Sequence, residues 1–344
     1  MGGGNWSDPA YQAARTARRA TGASAFTHTT NIASGAAAAG VHETLDPLAD
    51  GSLVTREARD SDDHPASTPI AVIFDETGSM GEVPKMLVEK LDGLHGLVAR
   101  KGYVTDPQIC FGAVGDGRLY EKAPFQIGQF ESDNRMADQL GLIYLEGQGG
   151  GNGGESYGLI ARFFDTQVVT DAWEKRGQKG YLFIVGDEPY FDQVDAKELA
   201  YLGIDEEPQS TADLFNRVQE RWHVFFIHPV EGSYQDGAAR MGWQMNAGDG
   251  YTSRPWRALL GERYISGTTT EAVCETIALA IGMTEGTIDL DQGLADMDEI
   301  GSGALTSTVS TALAPLSSTT SGVVATSEAP SGLTMTEGGG ADRL

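Results

Sequence analysis

Ile70-Ala71-Val72-Ile73-Phe74-Asp75-Glu76-Thr77-Gly78-Ser79-Met80 opens with five apolar residues in a row. Bounded by Pro69 and Gly78, such a run predicts a buried parallel strand. Three oxygen-bearing side chains follow at alternate positions: Asp75, Thr77 and Ser79. Beyond them, Pro84 suits a first helical turn, and Leu87, Leu91, Leu94 and Val98 recur at helical spacing. The oxygens therefore sit between the carboxyl end of a strand and the start of a helix, the end at which open α/β sheets bind ligands. One carboxylate and two hydroxyls are hard donors, suited to Mg²⁺ or Mn²⁺. The plainer alternative is that Thr77 and Ser79 cap the helix and Asp75 ends the strand.

Two later stretches bear on that choice. Tyr181-Leu-Phe-Ile-Val-Gly186 repeats the buried-strand pattern and ends in Asp187-Glu188-Pro189. Between the strands lies a glycine-rich loop, Gly147-Gln-Gly-Gly-Gly-Asn-Gly-Gly-Glu-Ser156, leading into a helix. Asp-x-Thr-x-Ser after one strand, a glycine-rich second loop and an Asp after a later strand together resemble the von Willebrand factor A (VWA) family, over roughly Thr68 to Gly286. The runs HPASTPIAVIFDETGSMG, GQFESD, YLEGQGGGNGGESYGL and EKRGQKGYLFIVGDEP are similar to a little-characterised bacterial and phage VWA subgroup.

The resemblance implies an α/β fold: a doubly wound, mostly parallel central sheet with one antiparallel edge strand and helices on both faces. It also implies a metal-ion-dependent adhesion site (MIDAS) built from the three loops. Asp75, Thr77 and Ser79 match its Asp-x-Ser-x-Ser, with threonine in place of the first serine, and Asp187 matches the third-loop aspartate. The second loop departs. The family usually places a threonine there, and this chain has Gly153 near that point, so Asn152, Glu155 or Ser156 is left to supply the oxygen.

By composition, one domain over residues 67–286 is flanked by an N-terminal arm (1–66), partly helical and weakly structured, and a tail (287–344), acidic and then rich in Ser, Thr, Ala and Gly. The tail from about Gly301 lacks the apolar mass for a core and is expected to be disordered. The net charge of −25 argues against nucleic-acid backbones and anionic membranes as partners. Two cysteines, Cys110 and Cys274, lie in apolar runs and read as reduced core residues. With no secretory signal and no span-length apolar run, the expected location is the cytoplasm, or host cytoplasm or virion for a phage protein.

Along the chain, Asp8-Pro9 starts a helix carrying Arg15, Arg18 and Arg19, the one basic cluster in the first part of an acidic chain. Residues 41–63 read as an extended arm. Strands are expected at Gln108–Val114, Phe125–Phe130, Tyr181–Gly186 and Trp222–Ile227, with a last one inside Leu259–Ser266. Helices are expected at Asn134–Leu145, Glu155–Phe164, from Ser210 or Thr211 to Glu220, and at Thr269–Met283. The stretch Gly232–Tyr251 fits no element.

Other chemistries find little support. The glycine loop lacks the Gly-Lys-Ser/Thr of a phosphate cradle. Asp75-x-Thr lacks the second acid of an aspartate-nucleophile phosphatase, and no hydrolase or paired-Cys motif is present. Glu76 and Glu188 each follow a metal-loop aspartate and either charge the site rim or are simply exposed. The expected function is a non-enzymatic protein-interaction module: Mg²⁺ or Mn²⁺ held at Asp75, Thr77, Ser79 and Asp187 binds a partner's acidic residue. Alternatives are a scaffold of an assembly or phage particle with a vestigial site, and an adaptor for a MoxR-type AAA+ ATPase, a partner class that the resemblance suggests. Hydrolysis at the metal ranks last, since no general base is visible.

Overall fold

Alternation along the apolar runs divides the interior into two cores. In the first strand, β1 (Thr68–Asp75), Ile70, Val72 and Phe74 enter one core while Ala71 and Ile73 enter the other. Strands β2 (Pro107–Val114), β4 (Gly180–Val185) and β5 (Trp222–Pro229) do the same, and residues buried on both faces are what a central parallel strand requires. Two edge strands complete the sheet, β3 (Phe125–Ile127) and β6 (Tyr264–Thr268). The computed structural model describes residues 3–119, 121–147, 152–231 and 250–320, and the Gly232–Tyr251 stretch lies almost wholly outside them.

Among the described residues the sheet has six strands in the order β6-β5-β4-β1-β2-β3. All neighbours are parallel except β3, which runs antiparallel to β2. The fold is thus α/β with a mostly parallel sheet and one antiparallel edge strand. The order reverses between β1 and β4, which pair with Phe74 opposite Val185. A crevice at the carboxyl ends of these two strands is where a doubly wound sheet places its ligand, and Asp75 and Asp187 stand on either side of it.

One core packs under α3 (Val83–His95), α4 (Arg135–Gly141), α10 (Val273–Glu285) and α11 (Leu290–Glu299), with α1 (Asp8–Thr21) on the outside of α3. The other packs under α5 (Tyr157–Thr166), α7 (Ala196–Tyr201), α8 (Thr211–Arg221) and α9 (Ser253–Leu260). Short helices α2 (Thr27–Ala33) and α6 (Asp171–Arg176) belong to the connections.

Both flanks are more structured than their composition suggests. The arm contributes Tyr11, Phe26 and Leu45 to the first core and Ala58 to the second. Its Arg56–Ala58 pairs in parallel with Val168–Thr170. Arg59 bridges Asp171 and Glu174, and Asp60 accepts from Arg176. The expected disorder from Gly301 onward is corrected as far as residue 320. Helix α12 (Thr306–Thr320) packs against β6, α10 and α11 and buries Val309, Leu313 and Leu316. These three apolar residues, spaced four and three apart, form a helical stripe sufficient to dock it.

Smaller boundaries also move. Leu259 and Leu260 belong to α9, since Trp256 and Leu260 must face the sheet together, and the last strand begins at Tyr264. The helix after Asn134 ends at Gly141. Cys110 and Cys274 are buried free thiols, each raised by burial, Cys110 to about 12, which keeps both protonated. Among the described residues no helix is long and apolar enough to cross a membrane.

The α7 cap bears on the site below, because Glu198 of that helix holds Arg118 and Ser156. Asp195 accepts from the backbone of Lys197 and Glu198, while the Glu198 side chain accepts from the Asp195 backbone, a full capping box. Asp195→Ala is expected to lower stability by about 1 kcal/mol in urea titration; an unchanged midpoint would show that the box is not formed.

Candidate metal centre

Asp75 ends β1 on the face of Ala71 and Ile73, and α5 lies over that face. The Asp75 carboxylate is fully buried. Its Oδ1 accepts from the Thr77 backbone N–H at 2.8 Å and from the Thr77 hydroxyl at 2.6 Å. Its Oδ2 accepts from the Tyr157 hydroxyl at 2.8 Å. Tyr157 reaches it by crossing Gly186, where a β-carbon would stand 2.1 Å from the Tyr157 oxygen, so only glycine fits between Val185 and Asp187. The Tyr157 ring is held in turn by Phe226 and Trp256.

The third loop is fixed by α9 and the residue before it. Thr252 donates its hydroxyl to the Asp187 carbonyl at 2.9 Å, and the Trp256 indole donates to the Glu188 carbonyl at 3.0 Å. The Asp187 side chain is fully buried. Burial, first, and the Asp187 charge, second, push the Asp75 carboxyl up to about 7, against the pull of the Thr77 and Tyr157 hydrogen bonds.

The second loop is tied to the third: the Glu155 N–H donates to the Pro189 carbonyl at 3.0 Å, and Glu155 bridges Tyr190. Of the three candidates on this loop, the structure separates the roles. Asn152 is exposed and donates its amide to Asp116 Oδ2 at 2.6 Å. The Ser156 oxygen accepts from the Gly117 N–H at 2.9 Å and bonds Glu198, so it is engaged away from Asp75. Glu155 is fully buried, and neither carboxylate oxygen has a hydrogen-bond partner among the described residues. Burial, then the charges of Asp75, Glu188, Asp116 and Glu121, raise its carboxyl well above the usual range. The Ser79 backbone lies in the single turn Gly78–Met80, and its side chain lies outside the described residues.

Sequence reasoning left open whether Glu76 and Glu188 are exposed; both are buried, at 2% and 4% exposure. Glu76 accepts from the Glu146 N–H, and Glu121 accepts from the Asp116 N–H. Burial, then the Glu121 charge, raises Glu76, and burial brings Glu121 up to about 7. Tyr157 and Glu121 were not singled out from the sequence. Gly186, between an apolar run and an aspartate, is the sequence signal that a bulky neighbour crosses there.

Among the described residues, no three His, Cys, Asp or Glu side chains form a group that could hold a metal ion by themselves. The oxygens that the described residues bring around Asp75 are the Thr77 and Tyr157 hydroxyls and the Asp187 carboxylate. Carboxylate and hydroxyl oxygens of this kind suit a hard divalent cation and not a soft one.

No family model matches the chain, and no curated protein matches it. Among solved structures, it is similar to the pilus adhesin SpaC from Lactobacillus rhamnosus GG in its open conformation, with 11% identity and a TM-score of 0.37, over 67% of this chain and 31% of that one. A second crystal structure of the same adhesin matches at 12% identity and a TM-score of 0.37, over 67% of this chain and 32% of that one. The chain thus spans about a third of the length of the adhesin that it matches.

Proposed function

We propose that this chain is a VWA-type protein-interaction module, with Asp75, Thr77, Ser79 and Asp187 as the donors for Mg²⁺ or Mn²⁺. The observation that carries this reading is the cluster of buried carboxylates: the Asp187 charge raises Asp75, and Glu155 lies buried near Asp75 with neither carboxylate oxygen hydrogen-bonded among the described residues. A bound divalent cation would neutralise these groups and offer an open position to a partner's Asp or Glu. Thr77 and Tyr157 fix the Asp75 carboxylate before anything binds, and Thr252 and Trp256 fix the backbone that presents Asp187. Beside a cation, Glu155 adds negative charge to the site and an acceptor for an ordered water. With a net charge of −25, the chain repels acidic surfaces, so the partner's acidic residue belongs on a neutral or basic face. An AAA+ ATPase of the MoxR kind is one partner class to examine.

Affinity capture on the full chain tests this reading. A partner retained in Mg²⁺ and released by EDTA, and not retained by Asp75→Ala, is the expected result. A complex whose affinity is unchanged in EDTA would overturn it. A scaffold role with a vestigial site is the second reading, favoured by the engagement of Ser156 away from the first loop. In that case Asp75→Ala leaves assembly intact.

A further inference from the structure

Of the three arginines on α1, two are accounted for by the helix beneath. Arg15 donates to the Glu89 carbonyl at 2.6 Å and pairs with Asp92 at 3.1 Å, and Arg19 pairs with Glu89. Arg18 has no such partner among the described residues. Its Nη2 is buried and makes no hydrogen bond there. Tyr11, about two turns earlier on the same helix and 3% exposed, also has a hydroxyl with no hydrogen-bond partner among them. A buried donor left without a partner is costly, so two together need an explanation.

Both side chains line one cavity of about 230 Å³ between α1, α3 and α4. Ala14, Val88, Leu91 and Leu140 form its apolar wall. For scale, an apolar cavity of about 150 Å³ accepts benzene. Asp138 also lines the cavity, and its carboxyl is raised by burial and by Asp133 while Arg18 draws it down.

We infer that this cavity binds a small organic carboxylate, with its apolar body against Val88, Leu91 and Leu140 and its carboxylate taking the unmet donors of Arg18 and Tyr11. Two donors, one of them a guanidinium, suit an anionic acceptor. The apolar wall excludes a bare inorganic anion as the preferred occupant. Because α1 closes one side of the cavity, a bound ligand bridges the amino-terminal arm to the domain. The site lies on the α3 face, and the inference does not depend on the metal reading.

Calorimetric titration of the full chain with hexanoate and benzoate tests it, with hexanol, hexanamide and inorganic phosphate as controls. Saturable one-site binding of the carboxylates is expected, weakened at least about tenfold by Arg18→Gln and by Tyr11→Phe. Tyr11→Phe removes only a hydroxyl that has no hydrogen-bond partner among the described residues, so that variant is expected to fold as the parent does. Hexanol or hexanamide binding as well as hexanoate overturns the inference, as does phosphate binding as well as hexanoate. Absence of saturation by either carboxylate also overturns it and leaves the two donors to ordered water.

Discussion

Adding Mg²⁺ or Mn²⁺ to the metal-free protein is expected to raise its thermal midpoint by roughly 5–10 °C, and Asp75→Ala is expected to abolish the rise. A ligand at 100 times its dissociation constant adds about 2.7 kcal/mol to the folded state, and in a domain of this size each kcal/mol moves the midpoint by about 2–4 °C. The folded state gains because it already holds the donors in place. Asp75 is fixed by Thr77 and Tyr157, and the Asp187 backbone by Thr252. The unfolded chain has no such arrangement and binds the ion weakly. Asp75→Ala removes the carboxylate shared by these contacts and leaves two hydroxyls and Asp187, too weak a set for Mg²⁺. Differential scanning calorimetry with EDTA as the reference reads the effect. An equal rise in the parent and in Asp75→Ala would place the ion elsewhere on an acidic surface, and no rise in either would favour the scaffold reading.

The strand Ile70–Phe74 and its Asp75 were legible because both signals are local: an unbroken apolar run, then oxygens at alternate positions. The parallel sheet follows from four such runs separated by helical spacings. What fixes Asp75 in place was not legible, because it arrives from elsewhere in the chain. Tyr157 lies 82 residues on and touches Asp75 only after α5 packs across the sheet. The same holds for the second loop. Asn152, Glu155 and Ser156 offer similar oxygens in sequence, and burial from three loops separates them, leaving Glu155 without a hydrogen bond among the described residues while Ser156 is engaged by Gly117 and Glu198. The tail shows a different failure. Val309, Leu313 and Leu316 keep a helical spacing within α12, but Ser, Thr and Ala dilute the mean hydropathy on which the expectation of disorder rested.

Without metal, the protein is expected to be less stable at about pH 8 than at about pH 5. Asp75 titrates at about 7 in the folded state, against an ordinary value of 3.8. Between those values the folded state keeps a proton that the unfolded chain has released. The contribution is therefore fully present below the unfolded value and is lost as pH rises through the folded one. A shift of this size corresponds to something on the order of 4 kcal/mol, shared with Asp187 because the two charges act on each other. Glu76, Glu121 and Glu155 are raised as well and act in the same direction. Asp60, Asp133, Asp171 and Asp296 are lowered, and they lose their contribution only as pH falls below the ordinary carboxylate value, outside this window. His95 and His223, lowered by burial from 6.5 to about 4, act the other way between those values, two groups against the four raised acids. Urea unfolding in EDTA across the window reads the slope, and Asp75→Asn, which keeps the shape without the charge, is expected to flatten much of it. Saturating Mg²⁺ is expected to reverse the trend, since the ion favours the ionised carboxylates that destabilise the metal-free fold. Equal or greater stability at the alkaline end in EDTA would mean that the acids at the carboxyl end of the sheet are already compensated within the chain, and the case for a cation there would fall with it.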